Sequence, residues 1–397
     1  MQLIRNRSIK NCIPRFGFKY MSDSTFLNEE HLQIQKAALD FSKEKMLPYS
    51  AEWDKKHHFP KDVLRELAAM GFSTIYVKQE SGGVGLDRLT ASVIFEALSY
   101  GDVTTTAYLT IQNMCAYMVD QFGNEEQKKT WIPRFGTFDA FASYCLTEPN
   151  SGSDSKNMKT FAKKDGNDYV INGSKCFISG GSVSDVYLLM CKTSEKDVSC
   201  IIVEKGTPGL SFGKLEDKMG WNASPTSMVL FDNVRVPQSN LLGKEGNGFK
   251  MAMSALDGGR INIASCSLGG ASFAFDLSKD YLHDRKQFGQ PLASFQGLQF
   301  KFADMATNLV TSRLIVRQAA QMIDNNHPDK TLYSAMAKRY STDSCFNVAN
   351  EALQLHGGYG YLSEYQIERI VRDLRVHQIL EGTNEIMKVI ISRNLLK

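Results

Sequence analysis

Tyr169-Val170-Ile171-Asn172-Gly173-Ser174-Lys175-Cys176-Phe177-Ile178-Ser179 is the stretch whose reading decides the fold class of this 397-residue chain. Tyr169–Ile171 and Lys175–Ser179 are β-prone runs. Asn172-Gly173 between them predicts a hairpin, because an Asn-Gly pair supplies the positive φ angles of a tight two-residue turn. Short β-prone runs follow at Val186–Lys192, Ser199–Glu204, Leu210–Leu215 and Ser227–Val236, separated by Gly, Pro, Asn and Asp. Together they predict a compact β domain, a barrel or a sandwich.

Outward from this block the period changes to that of helices. On the N-terminal side, Leu32, Ile34, Ala37, Ala38, Phe41 and Met46 recur at helical spacing and Pro48 closes the segment. Helices are expected over Lys61–Met70, Leu89–Ser99, Thr104–Phe122 and Glu125–Trp131. On the C-terminal side they are expected over Phe249–Leu256, Ile261–Arg285, Phe295–Asn325, Lys330–Leu355, Tyr365–Arg375 and Glu385–Leu396. The glycines of Asp257-Gly258-Gly259-Arg260 are read as a break between two helical runs. The fold class is therefore α+β: an N-terminal α-helical domain (residues 21–140), a middle β-barrel or sandwich domain (141–245) and a C-terminal helical bundle domain (246–397). No βαβ alternation occurs, so a Rossmann dinucleotide site is not supported.

Composition narrows the function classes. The formal charge of +3 is uneven. Residues 1–20 hold Arg5, Arg7, Lys10, Arg15 and Lys19 and no acid; removing these five leaves 41 bases against 43 acids. A nearly neutral body does not suggest a nucleic-acid partner. The basic, acid-free leader lacks a continuous apolar run and reads as a mitochondrial transit peptide (1–20), with a disordered basic tail as the alternative. No apolar run is long enough to span a bilayer. The C-terminal Asn394-Leu395-Leu396-Lys397 is not a peroxisomal address. The eight cysteines include no C-x-x-C pair and no zinc spacing, which fits reduced core thiols and no metal.

Six stretches carry candidate chemistry. In Val376-His377-Gln378-Ile379-Leu380-Glu381-Gly382-Thr383-Asn384-Glu385-Ile386, Glu381 follows an apolar pair and precedes a glycine and a helix N-cap. A carboxylate in an apolar turn suits a general base, because desolvation raises its basicity. The bland alternative is a glutamate between two helices. Tyr144-Cys145-Leu146-Thr147, continuing to Ser153 and Asp154, offers N–H and O–H donors to a polar ring or phosphate, or is a solvated loop. Phe177 suits stacking on a flat cofactor with Ser179 on the same strand face, or is plain core. Asp257, Gly258, Gly259 and Arg260 permit close backbone approach and anion binding. Arg285, leading to Phe295 and Gln296, suits a pyrophosphate. Gln354-Leu355-His356-Gly357-Gly358 offers backbone N–H groups but lacks the strand of a dinucleotide fingerprint; His356 reads as structural.

In this order and with this helix–strand–helix arrangement, the motifs resemble the acyl-CoA dehydrogenase family over residues 25–397. The resemblance implies an acyl-CoA dehydrogenase-like fold, noncovalent FAD between the β domain and the C-terminal bundle, a homotetramer built as a pair of dimers, and electron-transferring flavoprotein as acceptor. By motif, Glu381 is the base that removes the acyl α-proton while the β-hydrogen leaves as hydride to the flavin. The backbone N–H of Glu381, with a flavin ribityl hydroxyl, polarises the thioester carbonyl. Tyr144, Cys145, Leu146, Thr147, Ser153, Phe177, Ile178 and Ser179 would meet the flavin. Arg285, Phe295, Gln296 and Gln354, Leu355, His356, Gly357 and Gly358 would hold its adenosine-diphosphate portion, partly across a subunit boundary. Thr383, Asn384 and Glu385 would complete the cofactor site. Ser153, Asp257, Gly258, Gly259, Arg260 and Arg393 would meet the acyl-CoA.

Phe177 and Ser179 stand where the family often has Trp and Thr; both keep the aromatic and the hydroxyl. Some members place the base at the position of Gly259, so glycine there assigns the role to Glu381 and disfavours the isovaleryl branch. Thr105-Thr106-Ala107-Tyr108, Asn113-Met114-Cys115-Ala116 and Gly259-Arg260-Ile261-Asn262-Ile263-Ala264-Ser265 resemble the branch that converts isobutyryl-CoA to methacrylyl-CoA in valine degradation in the mitochondrial matrix. A short-chain or 2-methylbutyryl-CoA preference is the alternative. An acyl-CoA oxidase and a non-catalytic assembly factor on the same fold are the rivals.

Overall fold

The structure, a computed structural model, describes residues 25–396. The expected leader peptide lies outside the described residues.

The N-terminal region folds into α1 (Glu29–Phe41), α2 (Ser50–Lys56), α3 (Lys61–Ala69), α4 (Arg88–Ser99), α5 (Val103–Phe122) and α6 (Glu125–Gly136). Four starts are fixed by side-chain caps. Asn28, Asp87, Asp102 and Asn124 accept from the N–H groups of His31, Thr90, Thr105 and Gln127 at 2.7–2.9 Å. Every residue of α4 is buried, so this helix is central and not amphipathic. α6 continues beyond the expected end at Trp131, through Pro133, because Ile132 and Phe135 are buried and Phe135 stacks on Trp131 at 5.9 Å.

The β region contains β1 (Ala142–Cys145), β2 (Phe161–Asp165), β3 (Asp168–Ser179), β4 (Val186–Lys192), β5 (Val198–Glu204), β6 (Leu210–Leu215), β7 (Thr226–Pro237) and β8 (Leu241–Leu242). The strand order is β6-β7-β3-β2-β4-β5-β8, with β1 parallel to β4. Residues from β1 through β7, among them Cys145, Tyr169, Ile178, Leu189, Ile201 and Phe231, meet in one apolar cluster, so the sheet wraps around its own core. The other face of β4 and β5 (Val186, Leu188, Met190, Cys200, Ile202) packs against α5 and the start of the long C-terminal helix. Burial on both faces explains why these two strands read as continuous apolar runs.

The expected hairpin at Asn172-Gly173 is not there. β3 runs unbroken through both residues, and the turn sits at Gly166-Asn167, joining Asp165 of β2 to Asp168 of β3. Gly166, at φ +60°, supplies the positive φ of that turn. Asn172 and Gly173 mark a register shift against β7 instead. The Asn172 side chain accepts from the Asn233 N–H at 2.9 Å, and a Cβ at Gly173 would stand 2.6 Å from the Thr160 Cα. The dipeptide is therefore a bulge where another backbone passes close, the second common use of glycine in a strand.

The C-terminal region consists of α7 (Gly248–Asp284), α8 (Gln296–Asp324), α9 (Lys330–His356), α10 (Ile367–Arg375) and α11 (Asn384–Leu395). A second correction concerns α7, which does not break at Asp257–Arg260 but runs for 37 residues. Gly258 and Gly259 cost helix stability, about 1 kcal/mol each, yet both are enclosed. Gly258 lies against the Arg88 guanidinium and Gly259 against the Glu381 carboxyl, with no room for a Cβ. α4 and α5 pack on α7, and buried ion pairs cross the same boundary: Glu96 with Arg313 at 2.7 Å and Asp102 with Arg369 at 3.2 Å.

Candidate active site

The turn that ends in Glu381 is built by two neighbours with opposite tasks. α10 gives way to a single 3-10 turn over Val376–Gln378, and Thr383 caps α11 by accepting from the Ile386 N–H at 3.3 Å. Between them Glu381 and Gly382 both take positive φ, +57° and +86°. Glycine tolerates this; for glutamate it is strained by about 1–3 kcal/mol. The strain presents the carboxyl to Gly259, whose missing Cβ leaves the space that the carboxyl fills.

Glu381 Oε2 is fully buried and has no hydrogen-bond partner among the described residues. Burial pushes the carboxyl up to about 7, while Arg260 and Lys338 pull it down. A carboxylate poised near neutrality is the form a general base requires. The Glu381 N–H also has no acceptor among the described residues.

Two cations hold the turn from behind. Arg260 Nε donates to the Glu381 carbonyl at 3.4 Å, and its Nη1 pairs with Asp257 at 2.7 Å. Thr331 donates to the other Asp257 oxygen at 2.6 Å. Lys338 Nζ donates to the Gly382 carbonyl and to Asn384 Oδ1, both at 2.8 Å. Asn384 in turn donates to Asp343 at 2.7 Å. His377 is buried: Trp221 Nε1 donates to its Nε2 at 3.2 Å, so its Nδ1 carries the proton and donates to Ser267 Oγ at 2.7 Å. Burial, with Lys338 nearby, holds His377 down to about 3, so it is neutral. Sequence reasoning quoted His377 without a role and missed Lys338 and Trp221 altogether. One signal was present for Lys338: it is a lone cation at helical spacing in the apolar series Leu332, Ala335, Cys345 and Val348.

The β-domain residues form a second surface. Tyr144 carries a buried hydroxyl with no partner among the described residues, pushed well above its ordinary range by burial. Cys145 and Ile178 point into the β core, whereas Leu146, Thr147 and Ser179 are half-buried and Ser153 is exposed. The loop after β1 is pinned by a buried ion pair, Glu148 with Lys175 at 2.8 Å, and by the Cys176 N–H donating to the Thr147 carbonyl at 2.9 Å. Phe177 is not core: it sits at φ +57° beside a bulge with 69% of its surface exposed.

A third group lies on the bundle. Arg285, Gln354, Leu355, His356, Gly357 and Gly358 line a cavity of about 540 Å³ together with Tyr281, Gln287 and Tyr359. A Cβ at Gly357 or Gly358 would meet nothing within 4 Å. His356 is structural, its Nδ1 2.7 Å from the Ala352 carbonyl and its ring stacked on Tyr281. Phe295 is half-buried and Gln296 exposed at the start of α8. Neither Glu381 nor Phe177 lines this cavity. Thr383 and Asn384 directly follow the Glu381-Gly382 turn, while Glu385 and Arg393 are exposed along α11.

An exposed aromatic ring, an unpartnered tyrosine hydroxyl and an open glycine-floored cavity with an arginine fit a large planar cofactor bearing phosphates. Among the described residues no cluster has metal-ligand character, and no helix is long and apolar enough to cross a membrane.

Comparison with known proteins gives a consistent result. Residues 28–139, 143–234 and 246–396 match the N-terminal, middle and C-terminal domain models of acyl-CoA dehydrogenase. Isobutyryl-CoA dehydrogenase, mitochondrial, of Dictyostelium discoideum is 52% identical over 100% of this chain and 94% of its own length. The Bos taurus protein of the same name is 52% identical over 98% and 93%. The solved butyryl-CoA dehydrogenase of Megasphaera elsdenii superposes with a TM-score of 0.90 at 37% identity, covering 94% of this chain and 99% of that one.

Proposed function

The chain belongs to the acyl-CoA dehydrogenase family, and from that premise we propose that it is the dehydrogenase of a short branched acyl-CoA, isobutyryl-CoA, forming methacrylyl-CoA. The observation that carries the reading is Glu381: a carboxyl whose Oε2 is buried and without a partner among the described residues, raised to about 7 in a turn that faces a glycine. The two relatives named for isobutyryl-CoA, each matching nearly the whole chain, support the choice of acyl group.

Glu381 takes the α-proton of the bound thioester. That proton is weakly acidic, so the thioester carbonyl must be polarised; the free N–H of Glu381 is the chain's donor for it. Enclosure of the carboxyl by Gly259 and the α7 backbone excludes water and strengthens both interactions. Asp257 and Arg260 hold the turn and, with Ser153 and Arg393, meet the CoA portion. FAD, when bound, would supply the acceptor for the β-hydride, with electron-transferring flavoprotein as the partner that takes the electrons. Thr147, Phe177 and Ser179 would hold its ring system, and Arg285 with Gln354–Gly358 would hold its adenosine-diphosphate portion, partly across a subunit boundary of a homotetramer. The place of action is the mitochondrial matrix, in valine degradation.

The test is anaerobic flavin bleaching by isobutyryl-CoA, butyryl-CoA, 2-methylbutyryl-CoA and isovaleryl-CoA. Fastest bleaching by isobutyryl-CoA, lost in Glu381→Gln, supports acyl group and base together. Faster bleaching by another of the four moves the acyl preference, and bleaching that survives Glu381→Gln removes the base.

A further inference from the structure

We propose that Lys338 is the positioning residue of the turn that carries Glu381, holding its backbone and acting on its carboxyl from behind. The inference rests on the reading of Glu381 as the base.

Three observations carry it. Glu381 and Gly382 are consecutive left-handed residues, and the first is not glycine, so the turn persists only if its surroundings over-determine it. Lys338 supplies that determination. Its ammonium is completely buried and spends two of its three donors on this turn, at the Gly382 carbonyl and at Asn384 Oδ1. With Arg260 at the Glu381 carbonyl, both peptide planes that follow Glu381 are fixed by cations. Second, a buried ammonium is expensive. A methionine of similar length would fill the α9 stripe without that penalty. Third, among the described residues no carboxylate lies within ion-pair distance of Lys338; the acceptors of its two hydrogen bonds are a carbonyl and an amide oxygen. The positive charge is therefore not taken up in a direct ion pair, and its field reaches Glu381.

The charged and titratable groups around Lys338 are Glu381, Asp343 and Glu385, which favour its protonated form, and Arg260, which opposes it. His377 is neutral there. Burial draws Lys338 down to about 8, so it remains mostly charged at neutral pH. A neighbouring cation stabilises a carboxylate, so Lys338, together with Arg260, lets Glu381 ionise at a lower pH than its enclosure alone would set.

The experiment uses the FAD-loaded protein and two readouts. The first is the pH dependence of kcat/KM. The second is independent of turnover: infrared difference titration of the protonated Glu381 carboxyl, identified as the band absent from Glu381→Gln. Lys338→Met moves both midpoints upward by about one pH unit, a tenfold change in ionisation, whereas Lys338→Arg keeps them near the wild-type value. If Lys338→Met does not accumulate as folded protein, Lys338→Gln replaces it, retaining a donor without the charge, with the same upward shift expected. An uncharged variant that binds FAD and titrates as wild type overturns the proposal, and so does failure of every uncharged variant to fold, which would make Lys338 a folding residue. Full turnover in Glu381→Gln would instead overturn the reading of the base, whatever the Lys338 variants do.

Discussion

Two glycine pairs, Gly258-Gly259 and Gly357-Gly358, look alike in the sequence and do opposite things in the fold. At the first, a Cβ would collide with the Arg88 guanidinium or the Glu381 carboxyl; at the second, it would meet nothing within 4 Å. The α7 pair is closed by the chain itself, and its value lies in complementarity to a turn more than a hundred residues away. The pair after α9 stands open, and its value lies in what it leaves free. A glycine pair therefore marks close approach, but only its surroundings say whether the approaching group is the protein or a ligand.

Four experiments break or sharpen that contrast. The largest effect is expected at the closed site. Glu381→Gln lowers the rate of flavin bleaching by about 10²–10⁴-fold, the usual worth of a positioned base, with FAD still bound. The second exploits the enclosure of the carboxyl. Its folded-state value of about 7 lies above the ordinary 4.5, so the native state holds its proton longer than the unfolded chain does. Below pH 4.5 both states are protonated and nothing is lost; as pH rises toward 7 the native state is disfavoured, by up to about 3 kcal/mol. Glu381→Gln should therefore gain thermal stability relative to wild type between those pH values, and a constant Tm difference would show that the carboxyl is not desolvated. The third, Gly259→Ala, pushes the carboxyl aside; kcat/KM falls by about 10²-fold, the cost of an ångström of misplacement, while FAD content is kept. The smallest effect is expected at the open site. Gly358→Ala leaves the fold within about 0.5 kcal/mol of wild type but weakens FAD binding about tenfold. Unchanged FAD affinity would show that this cavity does not serve the cofactor.

The sequence was most legible where local chemistry decides. Helical spacing, with Pro60 and Gly71 bounding α3, predicted α3, α4, α5, α8 and α9 to within one or two residues, and Val186–Lys192 and Leu210–Leu215 are strands as expected. It misled where a local signal had two uses. Asn172-Gly173 is both a hairpin dipeptide and a bulge; Thr160, just before β2, and Asn233 on β7 select the bulge from outside the strand. Gly166-Asn167, a few residues earlier, was the turn signal that went unread. β1 and β2 were missed because each is short and gains its register only by pairing with β4 or β3.

The sequence by itself determined the order helix, strand, helix, the starts of most helices, and the placing of one acidic residue between an apolar pair and a glycine before a capped helix. Those are consequences of backbone preference and side-chain periodicity within a dozen residues. Only the tertiary structure decided that α7 passes unbroken through its glycines, that Phe177 stands in the open, and that Glu381 is gripped by Arg260 and Lys338. The reason is physical: a carboxyl's basicity depends on which charges and how much water surround it. For Glu381 those surroundings are α7 and α9, set against the turn by the packing of the whole bundle.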